Sequence, residues 1–133
     1  MPLGSAPLPW GKAAEKRAAG ETASEISTRV VGILRRQTGT GSTNAKTIIS
    51  SDLVLVTLSD CLTTAETELV AAGHAELVTR ARRVLYEGIR AEATAIVEEL
   101  TDSQVTAYLT SQHDDPDLAI LVFYLAAAPL SLA

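Results

Sequence analysis

The sequence predicts an α+β domain in which one four-stranded, mainly antiparallel sheet carries helices packed on one face. Three observations predict it. An apolar stripe at helical spacing (Ile26, Val30, Ile33, Leu34) precedes two short β-branched runs, a long helical stretch occupies the middle of the chain, and two further strand-like runs flank a turn containing Pro116. With 133 residues and 47% hydrophobic content, the chain has the size of one domain with one core. The expected division is a flexible Pro/Gly/Ala-rich arm and helix lead-in over residues 1–22, the domain over residues 23–126, and an apolar tail over residues 127–133.

Each element has its own cause. Helical periodicity begins between Ala13 and Ser24, with Glu25, Arg29, Arg35 and Arg36 off the apolar stripe, and it must stop before Gly39, where two glycines and Asn44 supply a C-cap and a loop. Residues 46–50 and 53–58, separated by Ser51 and Asp52, read as a hairpin. In the second strand Val54, Val56 and Leu58 alternate with Leu53, Leu55 and Thr57, so both faces are largely apolar. Such a strand sits inside a sheet or is covered by a partner as well as by the domain's own helices. Thr63 with Glu66 three residues later forms a capping box, so a short helix follows and ends near Gly73. Leu77, Val78, Ala81, Val84, Leu85, Ile89, Ile96, Val97 and Leu100 predict a single long helix, with Gly88 as a point of close packing or bending. Residues 104–110 and 118–124 complete the strands. The expected order is α-β-β-α-α-β-β, with the long helix on the sheet or, alternatively, in a dimer interface.

Composition excludes several roles. A net charge of -5 argues against a phosphate-binding surface, so nucleic acid is not an expected partner. Arg80, Arg82, Arg83 and Arg90 are interleaved with Glu76, Glu87 and Glu92, which reads as a solvated face with ion pairs. Cys61 is the only cysteine, so no intrachain disulfide can form. It reads as a small buried residue whose neighbour Asp60 would raise its pKa. No secretory signal opens the chain, and the uncharged run from Leu118 is too short, with Pro129 inside it, for a membrane span of about 20 residues. A cytoplasmic protein without a transmembrane segment is expected.

Titratable side chains concentrate in one turn, His113, Asp114, Asp115, Pro116 and Asp117. An imidazole with carboxylates could hold a divalent ion, but acids in a hairpin connection also cap local backbone donors, and the turn reading is the favoured one. No catalytic residue, metal site or cofactor is assigned. The loop bearing Gly39 and Gly41, followed by Lys46 and Thr47, has the glycines and the cation of an anion site. It follows a helix and leads into a strand, whereas a P-loop follows a strand and opens a helix. Trp10, in the Pro-rich arm, is a candidate docking residue.

The stretches from Asp52 through Cys61 to Glu66 and from Tyr108 through His113 and Asp117 to Phe123 resemble hallmark segments of the small bacterial MpsC-type domain, named for a sodium-translocating membrane-potential-generating system. The resemblance runs from about Ser24 to Leu125. It includes the Gly39–Gly41 loop, although Ser42 and Thr43 stand where a proline-containing turn is expected. What the resemblance implies is association with membrane partners. Together these readings describe a non-enzymatic interaction or regulatory module, homo-oligomeric, cytoplasmic or peripheral to a membrane complex, docking to a bacterial ion-transport or signalling assembly. The alternative is a small-ligand- or metal-dependent enzyme using the His113 turn and the loop from Gly39 to Lys46.

Overall fold

The computed structural model describes residues 9–39 and 43–129. Its elements are α1 (Pro9–Thr38), β1 (Asn44–Ser50), β2 (Leu53–Ser59), α2 (Thr64–Ala71), α3 (Ala75–Gly88), α4 (Arg90–Thr101), β3 (Val105–His113) and β4 (Leu118–Leu125). The strands form one sheet in the order β1-β2-β4-β3, and every neighbouring pair is antiparallel. The α+β class and the two hairpins are therefore as the sequence implies. The order of elements differs by one helix.

That difference arises at Ile89. The backbone there takes φ -89, ψ 0, so it caps α3 and opens α4, where one continuous helix was expected. Gly88 just before it weakens the helix by about 1 kcal/mol relative to alanine, and the break lets Tyr86 of α3 and Ala93 and Val97 of α4 all reach the core. Helix α1 begins at Pro9, ahead of the window from Ala13 to Ser24 in which helical periodicity starts; proline suits a first helical turn, and the following Lys, Ala, Glu and Arg residues are strong helix formers. Gly39, with φ 74, closes this helix by donating its N–H to the Arg35 carbonyl at 2.9 Å.

Alternation along the strands then decides the layers. Val54, Val56 and Leu58 of β2 and Ala119, Leu121, Phe123 and Leu125 of β4 are buried, and they meet the stripe Ile26, Val30, Ile33 and Leu34 of α1, each at most 1% exposed. Tyr108 of β3 joins them, its ring 5.1 Å from that of Phe123 and its hydroxyl donating to the Tyr86 carbonyl at 2.8 Å. α1 packs on β1, α3 and α4 on β3, and α2 on α3, so the helices that reach the sheet share its buried face. The opposite face carries Leu53, Leu55, Thr57, Ile120, Val122 and Tyr124 from the two central strands, none of them buried. Of the two covers that the apolar β2 could have, the described residues supply only one.

Turn chemistry fixes both hairpins and the helix start between them. Ser51 at φ 54 makes the two-residue link from β1 to β2, and Asp60 at φ 55 ends β2 with its carboxylate accepting from the Asn44 side chain at 2.8 Å. Thr63 Oγ1 accepts from the Glu66 N–H at 3.2 Å while Glu66 Oε1 accepts from the Thr63 N–H at 2.9 Å, a reciprocal capping box. Replacing Thr63 by Ala should lower the unfolding free energy by about 1 kcal/mol. Denaturant titration of parent and variant at equal m-value reads this directly.

Candidate functional site

Helix α3 presents Val78, Arg82 and Tyr86 inward at i, i+4, i+8, so a guanidinium sits between two core residues. Arg82 is 4% exposed. Its Nε donates to Glu66 Oε2 at 3.0 Å, and Nη2 donates both to Glu66 Oε1 and to the Cys61 carbonyl. The same junction between β2 and α2 is held from the other side, because the Leu62 N–H donates to Asp117 Oδ2 at 2.8 Å. Gln112 adds a bond from Nε2 to the Thr79 carbonyl at 2.9 Å. Three parts of the chain thus converge: the end of β2, the middle of α3 and the β3–β4 turn.

Electrostatics follow from this arrangement. Burial pushes the Cys61 thiol up to about 11, reinforced by Asp117 and Asp60 and opposed by Tyr86 and Arg82, so it is a neutral thiol at physiological pH. Burial raises the Tyr86 phenol as well. For Glu66, burial acts to raise the carboxyl, but hydrogen bonds from Arg82 and Thr63 outweigh it and hold the group below its ordinary 4.5. Between Cys61, Arg82, Tyr86 and Asp117 lies a cavity of about 10 Å³, which holds no more than about one water. The centre clamps backbone.

The residues singled out from sequence fall into place unevenly. His113 is the last residue of β3, not part of a loop beyond it, and its Nδ1 lies 2.9 Å from the Pro116 carbonyl. Asp115 is exposed and joined to Pro116 by a cis peptide bond, Asp114 borders a hollow with Arg80 and Arg83, and Asp117 is spent on Leu62. Among the described residues no three of His, Cys, Asp and Glu are grouped to hold a metal ion. Lys46 and Thr47 point to opposite faces of β1: Lys46 is exposed, while Thr47 is buried with Oγ1 2.8 Å from Ser27 Oγ. The loop ahead of β1 and the His113 turn share one end of the sheet but occupy opposite edges, three strand spacings or roughly 14 Å apart. Gly41 lies outside the described residues. Trp10 belongs to α1, and its side chain is likewise outside them.

Sequence reasoning missed Arg82, which it placed on a solvated face; it left open whether the apolar stripe holding Leu77 and Val84 meets the sheet or a dimer interface, and these two are 49% and 73% exposed. The usable signal was the i, i+4, i+8 spacing of Val78, Arg82 and Tyr86, together with Glu66 held nearby by its capping box.

The fold and its centre define a small α+β domain whose buried polar groups hold its own backbone and whose sheet has one face uncovered among the described residues. Over residues 18–127 the chain matches the family described as Na+-translocating membrane potential-generating system (MpsC), and it belongs to that family. Comparison with curated proteins and with solved structures gave no match. Both segments that carried the resemblance are in the clamp: Cys61, Leu62 and Glu66 from one, Asp117 from the other.

Two outcomes test the clamp. Arg82→Leu should lower stability by about 3 kcal/mol, since it leaves Glu66 and the Cys61 carbonyl without their buried donor. Arg36→Ala should cost under about 1 kcal/mol, because its bond to Glu92 is between exposed groups; equal losses in urea titrations would show that burial of the pair is immaterial. The second outcome is a pH dependence. A depressed carboxyl contributes stability that is complete above its unfolded pKa and is lost as pH falls through the folded one. The parent should therefore lose stability on acidification from about 4.5 downward more steeply than Glu66→Gln; parallel curves would remove Glu66 as the cause.

Proposed function

We propose that this chain is a non-enzymatic interaction module that docks onto a membrane ion-transport assembly of the kind its family description names, acting from the membrane's cytoplasmic side and as a homo-oligomer. One observation carries the reading. Glu66, Arg82 and Asp117 are engaged in holding the fold, whereas large apolar side chains are left exposed on two surfaces: Ile48, Leu109, Ile120 and Tyr124 on the sheet, and Leu77 and Val84 on α3. Exposed patches of this kind mark interaction surfaces.

Leu77, Ala81 and Val84 recur at i, i+4, i+7, so they form a stripe along the outer side of α3 suited to a partner helix. No helix among the described residues is long and apolar enough to cross a membrane, so membrane association would come through a partner. The family description supports the membrane context, and the stripe supports the means.

Sedimentation with membrane vesicles tests this. Purified protein should be retained by vesicles prepared from cells that contain the ion-translocating system and not by vesicles from cells lacking it. Val84→Glu, at an exposed position, should fold normally and lose retention by at least about tenfold, the scale of one buried apolar contact replaced by a charge. Equal retention by both vesicle preparations would overturn the reading.

A further inference from the structure

We propose that the open face of the sheet is covered by a second copy of this chain, packed face to face about a twofold axis that runs parallel to the strands between β2 and β4. The inference rests on the module reading above and names the partner of one of its two surfaces. Of the eight exposed large hydrophobic residues described, five lie on this face: Ile48, Leu109, Leu118, Ile120 and Tyr124.

Register sorts the face into cross-strand rows. Ile48, Leu55, Val122 and Leu109 form one row that is aliphatic from edge to edge. On one side of it lies the row Ser50, Leu53, Tyr124 and Ala107. On the other side come Lys46, Thr57, Ile120 and Ser111, then Asn44, Ser59, Leu118 and His113. The face is thus mainly apolar toward the β1–β2 hairpin and mainly polar toward the His113 turn, where Ile120 and Leu118 of β4 are its apolar residues.

Area and charge select the occupant. Four strands at about 4.8 Å spacing and some seven residues at about 3.3 Å give roughly 430 Å² in projection, and side-chain relief brings two such faces to about 1,000 Å² of accessible surface, the threshold for a specific interface. A docked helix about 10 Å wide would cover only about half of that width. The chain has a net charge of -5, yet no acidic residue lies on this face among the described rows, so two acidic bodies can meet here without opposing carboxylates. The same scarcity of basic residues, with Lys46 alone on an edge, gives an anionic lipid surface nothing to hold.

The polarity gradient then fixes the axis. A twofold parallel to the strands keeps the apolar end against the apolar end and exchanges the edges. It lays Ile48 over the partner's Leu109, Leu55 over the partner's Val122, and Lys46 near the partner's Ser111, within about one residue at the roughly 30° crossing of aligned sheets. A twofold across the strands would stack β1 on β1 and set Tyr124 and Leu53 against the Asn44 and His113 end, pairing apolar with polar. Packing by the first axis is isologous and sets like ends of the face against each other.

Sedimentation velocity of the full chain at low salt tests the proposal. The parent should be a dimer at micromolar concentration. Val122→Glu and Leu109→Glu, both on the uncovered face, should keep the parent's circular dichroism spectrum and weaken the dimer at least about 100-fold. Ser111→Lys should weaken association about two- to fivefold by facing the partner's Lys46, and adding Lys46→Glu should restore it. A parent that stays monomeric to high micromolar concentration, a dimer indifferent to both glutamates, or a charge exchange without rescue would each overturn the proposal. Vesicle retention is read separately: a monomer that is still retained would refute this dimer alone, and a dimer that is never retained would refute the docking role alone.

Discussion

The guanidinium of Arg82, removed from water at the middle of α3, is the constraint on which the arrangement of this domain turns. A buried cation is costly unless its donors are satisfied. Here Nε and Nη2 meet the two oxygens of Glu66 and the carbonyl of Cys61. Glu66 in turn is held by the amide of Thr63, so the charge pair is anchored to the first turn of α2. One side chain thereby sets the position of α3 relative to the end of β2, and α2 has no buried residue of its own with which to do so.

Asp117 extends the constraint to the second hairpin. By accepting from the Leu62 amide, it ties the β3–β4 turn to the strand end that Arg82 clamps. β4 lies between β2 and β3, so this turn sits beside the β2–α2 junction by topology, and the hydrogen bond makes use of that adjacency. The consequence for chemistry is subtraction. Asp117 and Glu66 are engaged, Cys61 is held neutral by burial, and His113 leans on its own turn at Pro116. Asp117 and His113 of the turn thus serve as ties.

Much of this was legible in the residues. The stripe of Ile26, Val30, Ile33 and Leu34 is buried, the capping box at Thr63 forms, and the four strands lie near where alternation and β-branching placed them. Local signals of period and cap decide those elements, and local signals survive folding. The break at Ile89 was not legible, because apolar periodicity runs through it and only the competing demands of Tyr86 and Val97 on one core interrupt the helix. Arg82 was hidden for a related reason. An arginine among arginines and glutamates reads as surface, and what buries it is Glu66, sixteen residues earlier in the chain, which no helical period connects to it. Leu77 and Val84 belong to a stripe whose periodicity suits either the sheet or a dimer interface, and they lie exposed.

The bare face of the sheet follows from connectivity. α1 precedes β1, and α2, α3 and α4 all fall in the single connection from β2 to β3, while both remaining links are tight hairpins. Helices inserted between β2 and β3 can return to the sheet on one side only, and α1 joins them there through Ile26 and Val30. No segment among the described residues is left to cross to the other face. An antiparallel sheet in that position ordinarily alternates polar residues outward. Here the outward positions Leu55 and Val122 on the central strands, with Ile48 and Leu109 beside them on the edges, are aliphatic instead, and polar residues gather mainly toward the end where Asn44 and His113 stand. Topology leaves the surface open, but it is the choice of side chains that makes it adhesive. The two facts are independent, and they coincide on one face.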